Sequence, residues 1–407
     1  MKKFALGIGI VVLAIFSFLF LPYFLFLFPY YSPPLYRVQS SIGEQLAQQN
    51  IAVQSVNLSL FPPALSLEKV QSEQFSVQKI ESQFNLLPLF YGNINLSSLQ
   101  LKQLKLSNKA QNLADIKMHF SALSLTQLLA KKIILNGNNQ ISIKLEKPFY
   151  GKNKTFDFTF TKANIDLSNE KLSLIQFVNA KLNNQSLGYI EAHGDFNKSL
   201  KRLVTYIKPQ CDNNCLAVVN YQSVGDQSMI NFSGKEFPVK PLLSLLSFPE
   251  SLSGYTDFKI NLGFKNSEIT QGKFNFQAKN GEIIGVNLLD IVSQYFPINY
   301  SNDLLANKEL NTQFEQFQIQ LSLLKDQLNA EKFELKTPTL LGNGTGVVSL
   351  NQMQCDINLT VRSTNKNYQN LILPIRFFGD CYSPQYKFNF TKEFRHQLID
   401  IIKEKLH

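Results

Sequence analysis

The stretch PLFYGNINLSSLQLKQLKL, from Pro88 to Leu106, places its apolar side chains in pairs two residues apart. Alternate residues of a β-strand share a face, so these pairs predict a strand and not a helix. The alternation changes parity at Ser97–Ser98 and again at Lys102–Gln103, as β-bulges would change it. The stretch is therefore predicted to be a β ribbon with one apolar and one polar face. Its apolar positions are Ile94, Leu96, Leu99, Leu101, Leu104 and Leu106.

The same alternation recurs along the rest of the chain. The segment TFDFTFT, for example, places three phenylalanines on one face and Asp157 and Thr159 on the other. Few segments are apolar on both faces, which argues against a parallel sheet covered by helices. The pattern predicts a mainly β, largely antiparallel fold with an apolar face. The candidate residues of that face are Leu96, Leu101, Ile143, Phe156, Phe158, Phe160, Phe274, Phe276, Phe317, Ile319 and Phe333.

Helical periodicity is confined to a few segments. SIGEQLAQQN, KPLLSLLSFP and GVNLLDIVSQYFP predict short helices. Residues 391–407 predict an amphipathic C-terminal helix with Phe394, Leu398 and Ile402 on its apolar side. That helix either closes the end of the core or presents its basic side chains to a membrane or a partner.

A series of one-sided antiparallel strands has two common architectures. Two sheets can pack face to face as a sandwich. Alternatively, one sheet can curl and leave an apolar trough that another molecule fills. Each phenylalanine stripe, taken alone, is also explained by ordinary core packing. Composition does not distinguish a sandwich core from a lipid trough, so both architectures stay open at this point.

The N-terminal segment has a different character. Lys2 and Lys3 precede an uncharged run from Phe4 to Phe28, which exceeds the roughly 20 apolar residues needed to cross a bilayer. The run ends in Phe, Pro and Tyr instead of a small-x-small cleavage site, so it predicts an uncleaved membrane anchor. The two lysines predict a cytoplasmic N-terminus, with the residues after position 32 on the other side.

Composition and charge narrow the choice of partners. The chain of 407 residues has a formal charge of +10, with 34 Phe and no Trp. A basic excess is typical of proteins that bind nucleic acid, an anionic membrane surface or acidic ligands. The lysines are spread along the chain instead of clustered, which argues against nucleic acid.

The four cysteines form two candidate pairs. Cys211 and Cys215 flank the tight loop DNN. Cys355 and Cys381 flank two predicted strands joined by a polar loop, and antiparallel pairing of those strands would place the two cysteines opposite each other. Both pairs are predicted to be disulfides in an oxidising compartment. Free thiols are the main alternative, and the scattered histidines supply no convincing metal site.

No catalytic constellation is evident. The chain has no phosphate-binding loop, no histidine near an obvious serine or cysteine nucleophile motif, and no carboxylate pair in a clear context. The expectation is therefore a protein that is not an enzyme and that carries no cofactor and no metal.

The order of motifs in residues 235–390 resembles the C-terminal region of AsmA-like bacterial envelope proteins. NGEIIGVNLL, TQFEQF, GNGTGVVSL and LPIRFFGDCYSP are similar to that family's nGxixGxnLxxll, TxFxxl, GxGxvxL and lPixxxGxxxxP elements. Residues 1–110 also resemble the family, and the opening stretch matches its pLlxgxixixxl step. The matching positions include Gly281, Gly285, Asn287, Leu288, Phe314, Gly342, Gly344, Pro374, Gly379 and Pro384.

The resemblance implies a fold and a function. It implies an N-terminal transmembrane helix and an elongated, curved, largely antiparallel β-sheet with an apolar trough and a few short helices. Such a protein would sit in the bacterial inner membrane with most of its chain in the periplasm. It would bind or conduct phospholipid and so support outer-membrane biogenesis and lipid homeostasis, with envelope proteins as further partners. The alternative is a non-enzymatic assembly factor for outer-membrane proteins or a secretion system, with a closed β-sandwich core.

The predicted organisation has five parts. These are a cytoplasmic tip and anchor (1–31), an AsmA-like N-terminal β region (32–110), a middle β region (111–234), an AsmA-like C-terminal β region (235–390) and a C-terminal helix (391–407).

Overall fold

A computed structural model describes most of the chain from residue 33 onward. The described residues are 33–60, 62–73, 75–91, 93–106, 114–146, 154–169, 173–196, 200–211, 214–246, 248–265, 268–293, 311–366, 370–390, 392, 394–396, 399 and 403. The predicted anchor lies outside them, as do Leu398 and Ile402 of the predicted C-terminal helix. Among the described residues, no helix combines the length and the apolarity needed to cross a membrane.

Among the described residues, twenty strands pair in antiparallel fashion, which confirms the prediction of a mainly β, largely antiparallel fold. The strands are β1 (Ser55–Leu60), β2 (Pro63–Gln71), β3 (Phe75–Phe84), β4 (Asn95–Leu106), β5 (Ala114–Ser124), β6 (Lys132–Leu145), β7 (Thr155–Asp166), β8 (Ser173–Leu182), β9 (Gln185–Phe196), β10 (Leu200–Lys208), β11 (Leu216–Val224), β12 (Gln227–Pro238), β13 (Tyr255–Lys265), β14 (Glu268–Ile284), β15 (Asn311–Leu324), β16 (Gln327–Lys336), β17 (Leu340–Ser349), β18 (Gln354–Ser363), β19 (Leu373–Asp380) and β20 (Gln385–Phe388).

Within the described ranges, the named helices are few and mostly short. They are α1 (Pro33–Gln48), α2 (Leu86–Phe90), α3 (Leu125–Leu129), α4 (Val239–Leu245) and α5 (Leu288–Ser293). Helices α1, α4 and α5 contain or overlap the three short segments predicted to be helical. Helices α2 and α3 were not predicted from the sequence, because five residues are too few to show helical periodicity.

The chain divides into two compact units, residues 1–207 and 208–407. In the first unit, each strand from β1 to β9 pairs antiparallel with the next strand in the sequence. In the second unit, the strands from β11 to β20 follow the same rule. Because sequence neighbours are also sheet neighbours, the one-sided pattern of each strand adds to a common face.

Strand β4 contains the two predicted bulges. Its register with β5 shifts between Leu96 and Ser98 and again between Leu101 and Leu104. At the second shift, Gln103 has a φ of 53° and donates its backbone N–H to Asp115 Oδ1 at 2.9 Å. Each bulge returns the next leucine to the buried face, as the parity changes in the sequence predicted.

The start of the predicted ribbon was wrong. Pro88 lies in helix α2, and the strand begins only at Asn95. Proline has no N–H to donate to a β ladder, which confines it to edges, strand starts and bulges.

Candidate functional site

One face of the sheet in the second unit is apolar from strand to strand. Phe276 on β14 lies opposite Phe258 on β13 and opposite Ile319 on β15. Residues directly opposite in antiparallel strands share a face. The row reaches every strand from β11 to β20 and contains no polar side chain. This Phe276 row is Ala217, Gly234, Phe258, Phe276, Ile319, Phe333, Gly344, Leu359, Ile375 and Phe388.

A second row on the same face is covered by the protein itself. This Phe317 row is Phe237, Thr256, Ala278, Phe317, Leu335, Gly342, Val361 and Leu373. All eight residues are buried, and residues of α4 and α5 belong to the same core cluster. In the Phe276 row, by contrast, Phe276, Ile319 and Phe333 are only half buried. The apolar face is therefore closed toward the helices and partly open in the middle of the strands.

The first unit repeats this arrangement. One row on its apolar face is Val56, Leu67, Ile80, Leu101, Ile116, Ile143 and Phe156. Beside it, the Phe158 ring contacts those of Phe160 and Phe177, with centroids 5.6 and 5.1 Å away. Such aromatic pairs add to the stabilisation that burial provides.

The eleven residues predicted to line the apolar face divide into two groups. Neighbouring side chains bury Leu96, Leu101, Phe160, Phe274 and Phe317. The other six are half buried, namely Ile143, Phe156, Phe158, Phe276, Ile319 and Phe333. Only the second group leaves apolar surface that a ligand could contact.

The opposite face carries the charges. In the first unit, the Glu81 carboxylate lies 2.6 Å from Lys79 Nζ and 3.3 Å from Lys102 Nζ. The hydrogen bond from Lys79 is the main cause that lowers the pKa of Glu81. In the second unit, Arg376 Nε donates to Asp356 Oδ1 at 2.7 Å and lowers the pKa of that aspartate. The sheet of each unit is thus amphipathic, with ion pairs on one face and apolar rows on the other.

Three alternate residues of β17 face the apolar side, and all three are glycines without a side chain. They are Gly342, Gly344 and Gly346. A Cβ on Gly344 would lie 2.5 Å from the carbonyl oxygen of Asn358, and one on Gly346 would lie 2.7 Å from that of Asp356. The backbone of β18 therefore occupies the space that side chains of β17 would need. These glycines permit a close approach of two strands that any other residue would prevent.

Gly281, a family-motif position, lies at a crowded corner. A Cβ there would clash with the carbonyl oxygen of Ser253 and would lie 2.6 Å from the Phe314 ring. The N–H of Ser253 donates to the carbonyl of Glu282 at 2.9 Å, which holds the loop before β13 against β14. The motif glycine is explained by this contact between two backbones.

The rest of the same motif fixes helix α5. The Asn287 side chain accepts the N–H of Asp290 at 2.9 Å, as an N-cap residue does. The buried hydroxyl of Thr312 accepts the N–H of Leu288 at 2.7 Å and donates to the carbonyl of Val286 at 2.6 Å. These bonds hold α5 over the closed part of the apolar face.

The last motif positions lie at the end of the sheet. Pro374 is opposite Thr360 in the pairing of β19 with β18. Gly379 has a φ of +94°, a conformation that favours glycine. Pro384 directly precedes the short strand β20. In the described structure, these three positions belong to the backbone path of the final strands.

Both predicted cysteine pairs lie at disulfide-bonding distance. The Cα atoms of Cys355 and Cys381 are 5.2 Å apart, and those of Cys211 and Cys215 are 6.2 Å apart. The two cysteines were predicted to lie directly opposite each other, and this register was wrong by two residues. Cys355 lies opposite Gly379 instead of Cys381. Cys381 is instead held by its N–H, which donates to the carbonyl of Met353 at 2.8 Å in the turn before β18.

A polar network on β9 was not predicted from the sequence. The Glu191 carboxylate accepts hydrogen bonds from Tyr189 Oη at 2.6 Å and Gln176 Nε2 at 2.9 Å, and lies 2.9 Å from His193 Nε2. The first of these bonds is the main cause that lowers the pKa of Glu191 to about 2, while burial raises the pKa of Tyr189 to about 12. The spacing of Tyr189, Glu191 and His193 at every second residue was the available signal, because it places them on one face.

A small pocket is another candidate for a binding site in the part of the chain that the structure describes. A pocket of about 100 Å³ lies beside α5 and is lined in part by Glu282, Asn287 and Thr312. Ligand pockets commonly measure about 300–1,000 Å³, so this pocket does not suit a lipid. Within the described ranges, no three His, Cys, Asp or Glu residues converge to hold a metal ion. The open apolar face is the more extensive candidate surface.

These features define a mainly β protein in which the antiparallel sheet of each unit has an apolar and a charged face. The chain is 60% identical over 406 residues to a Haemophilus influenzae protein described as uncharacterized, and the alignment covers 100% of both chains. It belongs to the same protein family as that H. influenzae protein. No family model and no solved structure matches the chain. The resemblance to AsmA-like proteins therefore stays a prediction.

Proposed function

We propose that this protein is an AsmA-like envelope protein that binds or conducts phospholipid along the apolar face of its sheet. In this proposal, residues 1–31 anchor it in the bacterial inner membrane and the β-rich body lies in the periplasm. Its function is then to supply lipid for outer-membrane biogenesis. The protein acts without a catalytic residue and without a cofactor.

The Phe276 row is the observation that carries the proposal. It is apolar on ten successive strands, and its middle residues Phe276, Ile319 and Phe333 are only half buried although they face the same side as a buried core. A soluble protein rarely leaves a long continuous apolar surface open unless it binds something there. An acyl chain needs only such a surface, because it has no group that must be hydrogen-bonded.

The energetics of acyl burial suit this surface. Covering apolar area contributes about 25 cal/mol per Å² without any requirement for specific polar partners. The headgroup would stay at the polar rim of the sheet, where the surplus of basic residues favours anionic lipids. Selectivity for the acyl chain itself would be low, because no polar side chain of the Phe276 row distinguishes one chain from another.

A curved, elongated sheet would turn the row into a trough. The glycines of β17 support curvature toward the apolar face, since they let β18 approach on that side. The two cysteine pairs support export to an oxidising compartment, where such bonds persist. The alternative of a closed two-sheet sandwich is less well supported, because within each unit the described strands pair one after another in sequence order as a single sheet.

A crosslinking experiment tests the proposal in the full-length protein. The photoreactive residue p-benzoylphenylalanine would replace Phe276, and the attached molecules would be identified by mass spectrometry after irradiation in cells. The matched control is the same residue at Asn275, which is adjacent in β14 but exposed on the charged face. A second pair, Phe158 and Thr159, tests the first unit.

Phospholipid attached at Phe276 and Phe158 but absent from the two controls is the expected result. Crosslinks to protein alone, at both apolar positions, would favour the assembly factor. Equal lipid capture at test and control positions would mean that the apolar face has no special role.

A further inference from the structure

A short loop in the first unit exposes an unusual amount of apolar surface. Helix α2 and the turn after it connect β3 to β4, and their side chains Leu86, Leu87 and Tyr91 are 38%, 74% and 83% exposed. No charged residue occurs between Glu81 and Lys102. Single exposed apolar residues are common on protein surfaces, but an uncharged cluster usually marks an interaction site.

A second apolar element lies beside this loop. The N–H of Leu125, the first residue of α3, donates to the carbonyl of Ile94 at 3.0 Å, so α3 begins next to the end of the loop. The last residue of α3, Leu129, is 36% exposed, and the exposed Lys131 follows it. We call Leu86, Leu87, Tyr91, Leu129 and Lys131 the rim patch.

Helix α1 follows the N-terminal apolar run in the sequence and packs against β1. The chain reverses at Asn50, which has a φ of 59°, and α1 packs against β1 with Ile42 and Leu46 fully buried. A reversal of this kind between a helix and the strand it packs on would place the first residue of α1 toward the end where β1 finishes. There Leu60 pairs with Pro63, at the same edge of the unit where β3 ends and β4 begins.

The length of chain before α1 restricts where the apolar run can be. That run ends at Phe28 and α1 starts at Pro33, so the intervening chain spans at most about 17 Å. If the run crosses a bilayer, the bilayer surface lies close to the start of α1. The rim patch, at the same edge of the unit, would then face that surface.

We propose that the rim patch rests in the headgroup region of the membrane that the N-terminal run crosses. This inference deepens the proposed function, because it depends on the proposed anchor and gives the first unit a fixed orientation on the bilayer. Leucine, tyrosine and lysine together are typical of segments that lie at a membrane interface. Such contact would place the first strands of the apolar face next to the lipids of the membrane.

The test uses full-length protein in nanodiscs made of phosphatidylethanolamine and phosphatidylglycerol. p-Benzoylphenylalanine replaces Leu87 in one preparation and Tyr91 in a second. The control preparation carries it at Glu73, which is exposed in the turn between β2 and β3, at the opposite edge of the same unit. All three positions are exposed, so each variant is expected to fold. A parallel measurement asks whether the protein stays with the membrane after alkaline extraction.

We expect at least a tenfold excess of phospholipid adducts at Leu87 and Tyr91 over Glu73, in protein that resists extraction. Resistance to extraction with equal or absent adducts at the three positions would overturn the rim-patch proposal and leave the anchor standing. Adducts to another protein at Leu87 would overturn it in the same way. Release of the protein by alkali would show that the N-terminal run does not anchor it in the membrane. That result would overturn the rim-patch proposal together with the proposed anchor.

Discussion

Phe317 and Phe333 meet edge to face on neighbouring strands, with ring centroids 5.3 Å apart. Phe317 is 6% exposed and belongs to the closed part of the apolar face, whereas Phe333 is only half buried. The boundary between the protein's own core and its open apolar surface thus runs between these two rings. Substitution of each ring should have a different main effect.

We expect Phe317→Ala to lower the free energy of unfolding by about 3–5 kcal/mol, because it opens a cavity in a packed cluster. Phe333→Ala should cost only about 1–2 kcal/mol, since part of its surface is already in water. The same Phe333 variant should clearly reduce lipid capture at position 276. Urea unfolding and the crosslinking assay measure the two effects, and Phe333→Leu is the control that should keep both properties near normal. Equal destabilisation by the two alanine variants would contradict the assigned boundary.

Gly281→Ala should destabilise the protein by about 1–3 kcal/mol. The new Cβ would collide with the Ser253 carbonyl, and backbone atoms cannot move aside as cheaply as a side chain can. The control is Gly43→Ala inside α1, where a Cβ meets nothing within 4 Å. That change should raise stability by up to about 1 kcal/mol, because alanine favours the helix. Urea midpoints that move in the same direction for both variants would refute this account of the motif glycine.

Glu191 should contribute an acid-dependent part of the stability. Its folded-state pKa of about 2 lies below the usual value of 4.5. The contribution of the carboxylate is therefore fully present above pH 4.5 and is lost as the pH falls toward 2. The Glu191→Gln variant should lose less stability than the unmodified protein between pH 5 and pH 2.5. Urea unfolding at several pH values measures this difference, and parallel pH profiles of the two proteins would contradict the assigned network.

The two cysteine pairs should differ in their contribution to stability. Chain-entropy estimates give about 3.5 kcal/mol for a bond that closes a loop of the size between Cys355 and Cys381, and about 2 kcal/mol for one as short as that between Cys211 and Cys215. Unfolding of the Cys355→Ser/Cys381→Ser and Cys211→Ser/Cys215→Ser proteins, purified from an oxidising compartment, gives the comparison. Free-thiol titration of the unmodified protein is the control and should find none. Titration of four thiols would show that neither bond forms.

The sequence by itself determined the strands and their apolar face. Alternation with period two was strong in most segments, and even the parity changes in β4 appeared as bulges at the predicted places. Within each unit, the described strands pair with their sequence neighbours, so local pattern was enough to predict a mainly β, antiparallel fold. The alternation did not predict the five-residue helices or the start of β4 at Asn95. A single helical turn is too short to have a measurable period.

Only the tertiary structure decided which apolar residues remain open. Phe156, Phe158 and Phe160 look alike in the sequence, yet neighbouring side chains bury Phe160 and leave the other two half buried. The reason is that exposure depends on what other strands and helices bring over a residue, and alternation does not record that. The same holds for Tyr189 and Glu191, whose side chains meet those of Gln176 on another strand. Likewise, the clash that makes Gly281 necessary comes from Ser253, which lies far from it in the sequence.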